Sequence, residues 1–211
     1  MSKAVLLSIR PDWVKKIASG DKTVEVRKTC PQIDLPFKCY IYCTQASPYN
    51  PCVSLHYRRQ NSTVYDSFFT ARVIGEFVCD WIVYLDMDSI GLGYYDEDKF
   101  LYIDTFDGDS KCNTCLTREE IFDYTKGKRP YGWHISDLVI YDKPKELEEF
   151  SKWQDGITDI RPCQNGKGCE HLYFDYSEDC EACGIDFDGE NCLYLKVQRP
   201  PQSWMYVEEL E

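Results

Sequence analysis

Lys22, Glu25 and Arg27 stand close together in the run Ser19-Gly20-Asp21-Lys22-Thr23-Val24-Glu25-Val26-Arg27-Lys28. A guanidinium is a planar fork for phosphate or carboxylate, and a lysine is a compact point charge. A carboxylate accepts hydrogen bonds from an exocyclic amine, or takes a proton from water as a general base. Read with period 2, Val24 and Val26 point to one face, and Thr23, Glu25 and Arg27 to the other. The valine face suits a core. Gly20-Asp21 is a turn signal, so Lys22 stands at a strand entrance, from which its ammonium is expected to swing into a cleft. Ser8, Arg10 and Trp13, a little upstream, bring further polar and aromatic groups near. The plainer alternative is a solvated strand face with a surface ion pair worth about 0–1 kcal/mol.

A second set of chemically capable residues is cysteine-rich. Cys163 and Cys169 are followed by Cys180-x2-Cys183, with His171 and Cys192 nearby. The Cys-x2-Cys spacing lets two thiolates from one turn share a tetrahedral ion, so Cys163, Cys169, Cys180 and Cys183 are candidate ligands of one structural zinc. The surrounding stretch is poor in apolar residues, and a metal would hold it together. The alternative is a loop of free thiols. Cys112-x2-Cys115 lacks a partner pair and the setting of a redox motif, and reads as two ordinary thiols. The chain has no phosphate-binding glycine loop and no helical His-Glu-x-x-His, and only three histidines.

Composition narrows the function classes. The chain has 211 residues and a formal net charge of −12. That charge argues against a protein that coats nucleic acid, because phosphate neutralisation needs a basic surface. The charge is uneven: residues 1–30 carry +4, and the rest −16. A local basic face on an acidic body suits a selective pocket. No window approaches the ~20 apolar residues of a spanning helix, and Ala4–Ile9 is too short for a secretory signal. A soluble, cytoplasmic protein with no membrane partner is expected. Cysteines there serve as thiols or metal ligands rather than disulfides.

The elements that must position these residues can be traced in order. Lys3–Ile9 reads as a strand covered on both faces, because Val5, Leu6, Leu7 and Ile9 show little alternation. Pro11 opens an amphipathic helix and Gly20 ends it. Phe37–Thr44 is a strand with Cys39, Ile41 and Cys43 on a core face and Tyr40 and Tyr42 on the other, where Tyr42 is a candidate for base stacking. Residues 45–67 read as a surface insertion of turns and polar residues, Phe68–Leu85 as strand, and 86–110 as an acidic loop with at most short strands. Thr117 and Glu120 form a capping box at the start of a helix that Gly127 stops. Gly132–Tyr141 reads as one strand ended by Lys143-Pro144, and Lys145–Trp153 as a short helix.

The stretches Leu6–Pro11 and Gly20–Arg27, the latter spelling Gly-x-Lys-x-x-Glu-x-Arg, resemble the opening of an ASCH domain, a PUA-like family. Tyr131-Gly132-Trp133-His134-Ile135-Ser136 is similar to that family's closing barrel strand. The resemblance spans roughly residues 3–145. It implies an α+β fold, a PUA-like mixed β-barrel of about five or six strands with two or three flanking helices. It also implies a ligand cleft holding Ser8, Arg10, Lys22, Glu25, Arg27, Tyr42, Trp133 and His134. Some members hydrolyse the amide of N4-acetylcytidine with a lysine that matches Lys22, a threonine and a second glutamate. Here Glu25 occupies the threonine position, so the resemblance implies Lys22 and Glu25 as candidate catalytic residues, with Glu25 a general base for water, and only Glu76 or Glu97 offers itself as the second glutamate.

The expected organisation is a barrel domain over residues 1–150 and a cysteine-rich appendage over 151–211, whose tail around Trp204 packs back on the barrel. Three functions follow: a binding module for RNA or a modified nucleotide or nucleoside, an amidohydrolase acting on an acylated nucleoside, and a factor whose acidic body and cysteine-rich appendage dock a protein partner. The departure at Glu25 ranks binding above hydrolysis.

Overall fold

The computed structural model describes residues 2–45, 51–59, 62–85, 93–95, 100–104, 111–153 and 196–210. Among them the chain is mostly sheet, with two α-helices. A mixed sheet of five strands carries the main core. In it, β1 (Lys3–Ile9) runs parallel to β3 (Phe37–Cys43). β3 is antiparallel to β6 (Arg72–Cys79), and β6 to β12 (Ser136–Lys145). On the other side, β1 pairs antiparallel with β13 (Trp204–Glu208).

The apolar run of β1 is split between two cores, as a strand covered on both faces requires. Val5, Leu7 and Ile9 join the main core, and Ala4 and Leu6 a second cluster with Leu147, Phe150 and Val207. β3 divides the same way: Phe37, Cys39, Ile41 and Cys43 face the main core, and Tyr40 and Tyr42 the second cluster. Helix α1 (Pro11–Ser19) starts with proline at its first turn and buries Val14, Ile17 and Ala18. It ends at Gly20, whose φ of +83° is the left-handed conformation that glycine adopts without strain.

A smaller antiparallel sheet orders β2 (Val24–Arg27), β11 (Tyr131–His134) and β7 (Ile82–Tyr84). Val24 and Val26 pack on Leu85, Cys112 and Ile121 in a third cluster. Ile121 belongs to helix α2 (Arg118–Thr125), whose first turn has both hydrogen bonds of the Thr117–Glu120 capping box.

Several expectations are corrected. Among the described residues the barrel is not closed: the five-stranded sheet and the β2-β11-β7 sheet share no strand ladder. Residues 45–67 are not simply a loop. β4 (Cys52–Arg59) and β5 (Ser62–Phe69) form a hairpin laid against α1. The alternation of Val53, Leu55 and Tyr57, all buried, with exposed Ser54, His56 and Arg58 is the pattern of a half-covered strand. Residues 132–141 are two strands, not one. Between them Ile135 donates its N–H to Thr23 O, and Asp137 adopts φ +46°. The chain thus leaves the small sheet and enters the large one, so β11 is a central strand of the small sheet rather than the closure of a barrel. Pro144 does not end β12, which lies on the sheet edge where a missing N–H is tolerated. Residues 145–153 form only a single 3₁₀ turn, Leu147–Glu149.

Strand β10 (Lys111–Thr117) leads directly into α2 and pairs with β9 (Phe100–Asp104), beyond which lies β8 (Gly93–Tyr95). The helix was legible from its cap; the preceding strand was not, because Lys111-Cys112-Asn113-Thr114 carries no strong apolar alternation. No helix among the described residues is long and apolar enough to cross a membrane.

Candidate functional site

A cavity of about 610 Å³ opens between β1, the start of α1, β2, α2 and the segment before β13. Ser8, Arg10, Lys22, Glu25 and Arg27 all line it, so five of the residues singled out from sequence meet in one place. Trp13 and Tyr124 supply aromatic wall, and Glu120, Asp123 and Gln202 further polar groups.

The charged face of β2 is not solvated. Lys22, Glu25 and Arg27 are 2%, 7% and 4% exposed, so burial makes their pairing obligatory. Lys22 Nζ donates to Val24 O at 2.8 Å and to Thr114 O at 2.6 Å, and lies 3.5 Å from Glu25 Oε2. Its ammonium also stands 5.4 Å from the Trp13 ring centroid. The lysine is therefore pinned, not free to swing. Both strong acceptors are backbone carbonyls, which any sequence would offer once the turn at Gly20 directs the side chain inward. Burial lowers the Lys22 pKa, and the neighbouring Glu25 opposes that shift.

Arg27 approaches Glu25 from the other side. Its Nη2 lies 3.0 Å from Glu25 Oε1 and donates to Ser8 O at 3.0 Å. Its Nη1 donates to Ser203 O at 3.1 Å and to Ser203 Oγ at 3.2 Å. Nε is buried without a protein partner among the described residues. Glu25 is thus held between two cations, one on each carboxylate oxygen. Fixed in this way, it can present the remaining acceptor capacity of a carboxylate to a ligand in the cavity.

The wall opposite is built by α2. Glu120 is tied to the helix start, where its Oε2 accepts from Thr117 N at 2.9 Å. Asp123 and Tyr124 follow on the same side of the helix, three and four residues on. Burial raises the Tyr124 pKa. The sequence pattern marks Glu120 only as a cap and does not point to Asp123, Tyr124, Gln202 or Ser203 as site residues. The i, i+3, i+4 spacing of Glu120, Asp123 and Tyr124 was the available signal for α2. For Gln202 and Ser203 there was none, since their approach depends on β13 pairing with β1.

Three expected cleft residues lie elsewhere. Trp133 is fully buried between Phe37 and Trp204, with ring centroids 5.9 Å from each. It is a core side chain because the small sheet turns that face toward the large one. His134 stacks on Trp81 at 4.5 Å and meets Asp80 Oδ1 through Nδ1 at 2.6 Å. Alternation sends it to the face opposite Trp133. Tyr42 is the register partner of Ser8 but buries its ring in the second cluster. Glu76 also belongs away from the cavity, paired with Lys38 and accepting from Tyr141. Glu97 and the cysteines Cys163, Cys169, Cys180 and Cys183 lie outside the described residues. Cys112 and Cys115 are buried and form no disulfide with a described residue. Cys115 Sγ donates to Asp21 O at 3.2 Å, and burial raises its pKa.

No family model matches the chain, and no curated protein matches it significantly. Among solved structures it is similar to the ASCH protein of Zymomonas mobilis. One point mutant of that protein superposes with a TM-score of 0.42 at 20% identity, over 70% of this chain and 78% of the other. The ASCH protein itself gives 0.36 at 20% identity, over 67% of this chain and 69% of the other. No residue role passes from these structures to this chain.

Proposed function

We propose that the protein is a binding module for a nucleoside or nucleotide unit, free or within RNA, which enters the cavity beside β2. The observation that carries this reading is the buried Lys22–Glu25–Arg27 row on the wall of a cavity of about 610 Å³ that also has Trp13 and Tyr124 on its walls. Small-ligand sites commonly occupy about 300–1,000 Å³ and combine apolar walls with a few fixed polar groups. Glu25 accepts from a base amine, the aromatic side chains offer stacking surface, and Arg10 at the rim supplies charge for a phosphate. The acidity of the rest of the chain confines the contact to a single unit rather than a long track.

Hydrolysis of an acylated nucleoside is the second reading. It is favoured by one observation, a buried lysine of lowered pKa beside a carboxylate in an open cavity. Two observations weigh on the other side. Both Glu25 oxygens already hold cationic partners, and the threonine that meets Lys22, Thr114, does so through its carbonyl.

Calorimetric titration with nucleosides, mononucleotides and short single-stranded RNAs tests the first reading. One-site binding is expected, weakened at least tenfold by Glu25→Gln. A wild-type protein that binds none of these overturns the proposal. Incubation with N4-acetylcytidine, followed by chromatography for cytidine, tests the second.

A further inference from the structure

The cavity has a wall that comes from the far end of the chain. Ser203 O accepts from Ser8 N at 2.9 Å and from Arg27 Nη1, and Pro201 O accepts from Ser8 Oγ at 2.6 Å. The residues on either side of Gln202 are therefore both tied to β1. Pro200 and Pro201 restrict the backbone further, since each proline fixes its own φ. The result is a rigid backbone at Gln202 beneath an exposed side chain that lines the cavity. No hydrogen bond of that side chain to a described residue contributes to the fold.

One guanidinium connects this segment to Glu25. Arg27 holds Glu25 Oε1 with Nη2 and Ser203 with Nη1. The carboxylate and the C-terminal segment are thereby bridged by one side chain. Ser203 contributes two acceptors to the arrangement, its carbonyl and its hydroxyl.

We propose that residues 200–203 are part of the ligand site, with Gln202 as its specificity-determining residue and Ser203 as the residue that positions Arg27. This rests on the nucleoside-binding reading above. The chemistry names a ligand class. Glu25 is an acceptor only, whereas the Gln202 amide both donates and accepts. A base edge with an amino group beside an unprotonated ring nitrogen satisfies both, the amine donating to Glu25 and the ring nitrogen accepting from Gln202. Adenine and cytosine have that edge. Their deaminated counterparts, hypoxanthine and uracil, present a carbonyl beside an N–H and leave the carboxylate facing an acceptor. A site built to hydrogen-bond a group rejects the analogue lacking it more strongly than an apolar pocket does.

The test is a panel of adenosine, inosine, cytidine and uridine titrated into wild type, Gln202→Ala, Gln202→Glu, Ser203→Ala and Ser203→Thr. Wild type is expected to prefer each amino nucleoside over its deaminated counterpart by about tenfold or more. Gln202→Glu, which removes the amide donor, and Gln202→Ala should each cut that ratio at least threefold, with the melting temperature unchanged. Ser203→Ala should weaken the amino nucleosides by a common factor of about three to ten while keeping their ratio to each other, and Ser203→Thr should restore them. If wild type binds nucleosides but both Gln202 variants keep its affinities and ratios within twofold, the role of Gln202 is overturned and the cavity reading stands. If Ser203→Ala binds as wild type does, the positioning role falls. A wild type that binds no nucleoside removes this inference together with the reading on which it rests.

Discussion

Replacing Lys22 with methionine tests whether the ammonium is pinned as the structure shows. Methionine nearly matches the lysine stem in length and fills the same space without a donor. The substitution leaves the carbonyls of Val24 and Thr114 without their hydrogen bonds from Nζ at 2.8 and 2.6 Å. A buried acceptor that loses its partner costs about 1–3 kcal/mol. Glu25 loses one of its two cations but keeps Arg27 at 3.0 Å, so its carboxylate is not orphaned. That keeps the penalty below the ~3–5 kcal/mol of a broken buried pair with no second partner. Two terms offset the loss: the ammonium no longer has to be desolvated, and the methionine buries apolar surface. The net expectation is a destabilisation of about 2–4 kcal/mol. For a chain of this size each kcal/mol lowers the melting temperature by about 2–4 °C, so Lys22→Met should melt about 5–15 °C below wild type. Thermal unfolding followed by circular dichroism measures this. Arg10→Ala is the control: Arg10 is exposed at the cavity rim and should change stability by no more than about 0.5 kcal/mol while reducing nucleotide affinity. If Lys22→Met is as stable as wild type, the lysine is not a buried structural cation, and the account of how Glu25 is held fails with it.

The lowered pKa of Lys22 gives a pH signature. The folded state releases the proton before the unfolded state does, whose lysine titrates near 10.5. Between the two pKa values the unfolded state binds more protons, so this group's contribution to stability rises with pH. Denaturant titrations of wild type and Lys22→Met from pH 7 upward should show the wild-type advantage growing toward pH 10.5; a constant difference refutes the shift. The zinc proposal is separate: purified full-length protein should contain about one equivalent of zinc by elemental analysis, and Cys180→Ser or Cys183→Ser should release it and open residues 154–195 to protease. Metal-free protein that resists protease there ends that idea.

Much of the site is legible because Lys22, Glu25 and Arg27 are close in sequence, on β2 or at its entrance. The alternation with Val24 and Val26 puts Glu25 and Arg27 on one side of β2, and the turn at Gly20 puts Lys22 at its entrance, before any tertiary contact is known. The covered run of β1, the two faces of β3 and the cap of α2 were also readable, since each depends on local pattern and local hydrogen bonding. Period alone could not say whether the charged face of β2 meets water or a cavity. Tertiary structure decided that by bringing α2 and residues 201–203 over it, from about 90 and 176 positions away. Trp133 and His134 show the same limit from the other side. Alternation correctly puts them on opposite faces, Trp133 on that of its register partner Glu25, but only the packing of Phe37 and Trp204 against Trp133 decides that it is a core side chain and not a cavity wall. The sequence thus determined which chemistry is available on β2. Long-range pairing, above all β13 on β1, decided which groups surround it, because the free energy of burying those charges is satisfied by carbonyls and hydroxyls that no local pattern announces.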